Sequence, residues 1–205
     1  MSSGSGGERL LPSGEIRPKY NLDRFLDVAV QVFTERGYDG TSFQHLSQAS
    51  GLSKSSIYHH IEGKEQLLRL GLERALEPLM ASTAEPGSTS GPAIERLTFL
   101  IRRNIEILAD RLPYVTLLLN VHGNTETERW ALEQRRNYDK IVATVVQEAI
   151  DEGSVRDDID ARTTARLIFG MINSAREWYR PSRGMTPSAL ADEVCTLLLQ
   201  GIRVH

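Results

Sequence analysis

The sequence predicts an all-α protein in two parts: an N-terminal three-helix domain with a helix-turn-helix, and a larger C-terminal helical domain. Three observations predict it. Apolar residues recur every three or four positions from Leu22 to Gly201, and no stretch alternates as a half-buried strand would. Helix start and stop signals divide the 205 residues into about nine helices. Between Gly37 and Lys64, two of those helices are short and meet at a glycine-containing turn, the signature of a helix-turn-helix.

Residues 1–18 are rich in Gly, Ser and Pro and read as a disordered tail. The helix-turn-helix domain spans residues 19–64. Asn21 caps its first helix, where Leu22, Phe25, Leu26, Ala29, Val32 and Phe33 share a face, and Gly37 ends it. Thr41 and Gln44 form a capping-box pattern at the start of the second helix, which carries Phe43, Leu46 and Ala49 and stops at Ser50-Gly51. Leu52 plugs the turn, and Ser53 caps a third helix from Lys54 to about His60, with Ile57 and Ile61 on its buried side.

A fourth helix starts near Lys64, and residues 65–81 form a connector. It is apolar over a wide arc, as a helix touching two cores must be. Residues 82–92 (STAEPGSTSGP) have the composition of a linker. Residues 93–205 form the second domain. One helix runs from about Ala93 to Asp110, and the next segment, Leu112 to Val121, is apolar enough to be buried on most sides. Thr125 with Glu128 is a second capping box, opening a long helix to Glu152 that stops at Gly153. Asp160 to Tyr179 follows, halted by Pro181, and Thr186-Pro187 starts the last helix.

Composition narrows the function. No apolar run is long enough to cross a bilayer, the start has no signal-peptide core, and the single Cys195 reads as a packed thiol in a reducing cytoplasm. No Gly-rich phosphate loop, paired cysteines or HExxH motif is present, and adjacent His59 and His60 point about 100° apart on a helix. Neither an enzyme nor a cofactor or metal is expected. The net charge of −3 is awkward for a DNA binder, yet Gly40 to Ile61 contains no Asp or Glu, and Arg17, Lys19 and Arg24 precede the domain. Screening beyond about 8 Å at physiological salt makes that local balance the one that counts.

The third helix carries the right chemistry for a duplex. Ser53, Ser55 and Ser56 crowd its start, where free amides favour phosphate oxygens, and Lys54 adds a charge. Tyr58 and His59 lie about a turn later, in reach of phosphate or a base edge. Lys64 could clamp the backbone from the flank. The competing reading is a helical adaptor whose Lys54–Lys64 segment is simply solvated.

From Phe33 to Leu68 the sequence resembles the DNA-binding region of the TetR/AcrR family of transcriptional regulators. Phe33-Thr-Glu-Arg-Gly-Tyr38, Gly40-Thr-Ser42, Gly51-Leu-Ser-Lys-Ser-Ser-Ile-Tyr-His-His60 and Gly63-Lys-Glu65 carry the resemblance. It implies an all-α homodimer, a double-stranded operator as partner, and DNA contacts by the residues at Thr41, Ser42, Lys54, Tyr58, His59 and Lys64. It also implies a small-molecule effector bound by the divergent C-terminal domain, with repression as the default regulatory sign.

Polar or aromatic residues set among apolar ones are the pocket candidates: Asn104, Trp130, Tyr138, Asn173, Arg176 and Trp178, with Leu118 and Val121 as walls. The segment Asn173 to Pro181 (NSAREWYRP) resembles TetR-family members that respond to acyl-CoA thioesters. That resemblance implies phosphate contacts by Arg176, Arg180 or Arg183. The alternative within the family is a drug-efflux regulator responding to planar lipophilic compounds. On the last two helices, Ile168, Ile172, Leu190, Val194, Leu197 and Gly201 either line the domain's own core or form a dimer interface, and the resemblance favours the interface. A twofold dimer would set two reading helices roughly 34–36 Å apart on a palindromic operator.

Overall fold

A computed structural model describes residues 22–59 and 61–202. Asn21, Arg17, Lys19, His60 and the expected tail lie outside the described residues. Ten α-helices and one 3₁₀ turn account for the order, with no strand among the described residues: α1 Leu22–Arg36, α2 Phe43–Ser50, α3 Lys54–Tyr58, α4 Lys64–Ser82, α5 Pro86–Thr89, α6 Ala93–Asp110, α7 Leu112–Asn120, α8 Glu126–Asp151, α9 Ala161–Trp178, the turn Pro181–Arg183, and α10 Pro187–Ile202.

Helices α1 to α3 and the start of α4 pack around Phe25, Leu26, Ala29, Phe33, Leu46, Ile57 and Ile61, all buried. The α1 stripe anticipated from its spacing is the one found, except that Leu22 is exposed. Gly51 takes φ 71°, the left-handed region where a Cβ is costly, and its N–H closes α2 on the Ser47 carbonyl at 2.9 Å.

Helix α4 joins the two parts. Its buried residues Leu67, Leu68, Leu72, Ala75 and Leu76 belong to the same apolar cluster as α1, α6, α7 and α8. Gly71 marks the tightest approach: a Cβ there would sit 2.9 Å from Val30 Cγ2 on α1 and 3.0 Å from Leu117 Cδ2 on α7. Pro78 lies inside α4 and has no N–H for the Arg74 carbonyl. Arg111, at the α6–α7 junction, donates to that carbonyl instead, at 3.4 Å.

The expected linker is not one. Within residues 82–92, Pro86–Thr89 forms a helical turn seated on α6, with Ser88 buried and Glu85 accepting from Arg103 at 3.1 Å. Proline at its first position and a glycine that lets Phe99 pack directly against the backbone explain why loop-like composition becomes packed structure.

In the second domain, helices α6, α8, α9 and α10 pack side by side, with α7 wedged against α1 and α4. Thr186 caps α10 as its position suggested, accepting from Ala189 at 3.1 Å, and Asp160, expected inside α9, is its cap, accepting from Thr163 at 2.8 Å. Thr125 caps α8, accepting from Glu128 N–H at 3.1 Å, but Glu128 does not reach back to Thr125. Its carboxylate takes the N–H groups of Gly123 and Asn124, at 2.8 and 2.6 Å, and so ties down the α7–α8 corner.

Candidate nucleic-acid interface and effector cavity

The α2–α3 unit presents one polar surface. Ser53 opens α3 in extended conformation and accepts from Ser56 N–H at 3.1 Å, while Ile57 anchors the opposite side in the core. Ser53, Lys54, Ser55, Tyr58 and His59 are exposed, and Ser56 is half-buried. The Tyr58 ring rests on Phe43 of α2 with centroids 4.6 Å apart, which aligns the end of α3 with the start of α2. Exposed Ser42 sits there.

The capping box of α2 is one residue later than its sequence suggested. Ser42, not Thr41, is the N-cap, accepting from His45 N–H at 3.3 Å, and His45 Nδ1 accepts from Ser42 N–H at 3.3 Å. Thr41 is buried, and its hydroxyl donates to the Gly37 carbonyl at 2.7 Å, so its side chain is turned inward. Gln44 is thereby released to the surface beside Ser42, free of the capping role its spacing suggested. Lys64 Nζ donates to the carbonyls of Tyr38 at 2.7 Å and Thr41 at 2.8 Å, and lies 4.2 Å from the Tyr38 ring centroid. Two of its three donors brace the loop before α2, so the residue is more a strut than a free clamp.

Two of the acids flanking this surface are bonded to the second domain, while Glu62, after α3, is exposed. Asp39 accepts from Asn124 at 3.2 Å, and Glu65 from Thr127 N–H at the start of α8, at 3.3 Å. Both bonds tie the reading head to the α7–α8 corner. Burial, with Glu65 and Asp39 adding to it, pushes the Tyr38 phenol up to about 12.

Between α4, α6, α7, α8 and α9 lies a cavity of ≈ 290 Å³. Leu76, Leu79, Leu108, Leu118 and Phe169 give it apolar walls, and Asn104, Tyr138 and Asn173 bring polar groups to it. Tyr138 is 4% exposed, and its Oη has no hydrogen-bond partner; Ser82 and Asn104 are its polar neighbours, but neither bond closes. Burial raises the Tyr138 phenol above its ordinary value. Arg135 and Asp139 also line the cavity without forming an ion pair, and burial lowers the Arg135 pKa and raises that of Asp139. The signal for Arg135 and Asp139 was their spacing from Tyr138 and Val142, which puts all four on one stripe of α8.

Of the eight pocket candidates, Asn104, Leu118, Tyr138 and Asn173 meet at this cavity. The other four do not line it. Val121 is packed in the core, and Trp130 stacks under the Arg69 guanidinium at 3.2 Å. Arg176 donates to Asn120 at 3.1 Å and Glu177 at 2.8 Å, and Trp178 is 50% exposed beside a smaller cavity of ≈ 170 Å³. Of the six residues assigned to a dimer face, Ile168, Ile172, Leu190 and Val194 are buried within the single chain, where they pack towards α6 and have little area left for a partner. Leu197 and Gly201 are exposed.

Residues 25–70 match the family model of bacterial regulatory proteins of the tetR family, and residues 90–202 that of the tetracyclin repressor-like C-terminal domain. The chain belongs to the TetR family. A TetR-family regulator from Streptomyces coelicolor A3, SCO3833, is 50% identical in sequence with a TM-score of 0.83, over 96% of this chain and 99% of that one. The HTH-type transcriptional repressor KstR2 of Mycolicibacterium smegmatis is 24% identical over 94% of this chain and 96% of its own length. AibR, solved with isovaleryl coenzyme A and operator DNA, is 25% identical with a TM-score of 0.73, over 86% of this chain and 97% of that one. No helix among the described residues of this TetR-family chain is long and apolar enough to cross a membrane.

Proposed function

We propose that this TetR-family chain is a ligand-responsive transcriptional repressor that binds a palindromic operator as a cytoplasmic homodimer and is released by an acyl-CoA-type effector. The observation that carries the reading is the exposed, acid-free face of α3, with two nearby acids, Asp39 and Glu65, bonded to the domain that holds the cavity. To the free amides at the start of α3 and Lys54 we assign phosphate contacts, and to exposed Ser55, Tyr58 and His59 the reading of base edges. KstR2 is named a repressor, and AibR is described with both a CoA thioester and an operator, which supports the regulatory sign and the effector class.

The dimer face we assign is the exposed apolar side of α9 and α10: Leu167, Met171, Trp178 and Leu197, with Gly201 allowing close approach. Selection of bound sequences from a random DNA pool, followed by a release screen with CoA thioesters and with planar lipophilic compounds, tests the whole reading. A palindromic consensus released by CoA thioesters is expected. Release by the planar compounds alone would transfer the protein to efflux control, and a monomer indifferent to every sequence would end the regulator reading. Changing Ser55 or His59 should alter sequence preference, each such base-reading interaction being worth about 1–3 kcal/mol of discrimination.

A further inference from the structure

The cavity does not end at its apolar walls. Asp139 and Arg166 line it, and the same two residues line a groove of ≈ 630 Å³ on the surface between α8 and α9. That groove is basic. Arg136 and Lys140 from α8 and Arg162 and Arg166 from α9 border it, and all four are exposed. Among the described residues none of the four has a carboxylate within ion-pair distance, whereas Arg69, Arg74, Arg96, Arg102, Arg103 and Arg156 are each paired elsewhere on the chain.

The groove has two acids of its own, of which Asp160 lies near Arg162 and Arg166 and offsets part of their charge. The Asp160 carboxylate caps α9, accepting from Thr163 N–H at 2.8 Å and from its hydroxyl at 2.7 Å. Asp139 lies at the throat, where burial opposes its ionisation and Arg135 and Arg166 partly offset that. Four cations against the one ionised cap leave the groove with a positive excess on a chain of net charge −3, and the shared residues Asp139 and Arg166 set it beside the inner cavity. Such a site fits a ligand with an apolar end, a spacer and several anionic groups. By contrast, Arg176 is bonded to Asn120 and Glu177, and Arg180 donates to the Tyr179 carbonyl at 2.7 Å, so these arginines are already engaged.

We propose that the α8–α9 groove, through Arg136, Lys140, Arg162 and Arg166, holds the phosphates of a coenzyme A thioester whose acyl group fills the inner cavity. The proposal rests on the acyl-CoA reading above. It names the side of the domain by which the effector enters, and makes the thioester spacer pass Asp139.

Binding of octanoyl-CoA, octanoyl-pantetheine and octanoate to the full chain, measured by titration calorimetry, tests it. The double variant Lys140→Glu/Arg162→Glu changes only exposed side chains, and a matching melting curve with Lys140→Ala/Arg162→Ala as a milder second variant guards against misfolding. Expected is a loss of at least tenfold in octanoyl-CoA affinity in the charge-reversed variant, with octanoyl-pantetheine affinity unchanged. Added salt should weaken octanoyl-CoA but not octanoyl-pantetheine. Equal octanoyl-CoA affinity in wild type and both variants would overturn the groove assignment alone. Failure of the wild type to bind any CoA thioester would overturn the effector reading and the groove together.

Discussion

Replacing Lys64 by alanine separates two roles that the sequence could not. If Lys64 clamps a DNA phosphate, its loss weakens binding to every sequence and lowers the salt slope by about one unit, leaving the free protein as stable as before. The structure argues for a larger structural share. Its ammonium makes two charge-assisted bonds, to the carbonyls of Tyr38 at 2.7 Å and Thr41 at 2.8 Å. Such bonds contribute about 1.5–3 kcal/mol each when buried, and half-exposure with shared geometry places the pair near 2 kcal/mol in total. The Tyr38 ring adds about 0.5–1 kcal/mol. A domain of this size should then melt roughly 5–10 °C lower. Thermal melts by circular dichroism, alongside DNA titrations at several salt concentrations, give both numbers. An unchanged melting temperature with a unit fall in salt slope would refute the strut and restore the clamp.

Tyr138→Phe should stabilise the unliganded protein by about 1 kcal/mol, because it removes a buried hydroxyl with no partner, and should weaken any effector that reaches it; a lower urea midpoint would mean the hydroxyl is bonded after all. Gly87→Ala should cost about 1–3 kcal/mol, since the added methyl collides with the Phe99 ring, and an unchanged midpoint would show that the Pro86–Thr89 turn is not seated on α6. Tyr38 and Tyr114 are both raised to about 12, chiefly by burial, with the Tyr114 hydroxyl also donating to Asp27. Their folded values exceed the unfolded value of 10.0, so the stability they contribute is complete below pH 10 and is lost as pH rises from 10 towards 12. Tyrosinate absorbance that develops fully near pH 10 in the folded protein would contradict this.

What could be read without coordinates was whatever depends on neighbours in the chain. Helix bounds from Ala93 to Asp110, the caps at Ser53, Thr125 and Thr186, and the turn at Gly51 all follow from local backbone chemistry, and all are found. The errors share a cause in long-range packing. Thr41 looks like an N-cap until Lys64 takes its carbonyl and Gly37 its hydroxyl. Trp130 looks like a pocket residue until Arg69 covers its ring. Ile168 and Val194 lie on apolar faces, and periodicity cannot say whether such a face meets its own core or a second chain. Arg135 and Asp139 share the α8 stripe of Tyr138 and Val142, but charged residues on a helix usually face water, so the spacing alone does not single them out; here burial changes both.

The placement of the cavity suggests how occupancy reaches the reading head. Leu76 and Leu79, either side of Pro78, form one wall, and Val115, Leu118 and Leu119 of α7 form another. Those two helices also hold α1: Val30 of α1 and Leu117 of α7 both close on Gly71, Arg74 pairs with Asp23, and Tyr114 donates to Asp27. A packed interior transmits displacement and does not absorb it, so a ligand that parts α4 from α7 must shift α1 or bend α4. Pro78 makes bending cheaper in the last turns of α4, because one backbone bond is already missing there and Arg111 can follow the freed carbonyl. The α7–α8 corner is bonded to Asp39 and Glu65, on either side of α2 and α3, and so links α7 to the DNA-binding unit. An effector that filled the cavity without moving α4 or α7 would bind equally well on and off the operator, and by linkage would release nothing.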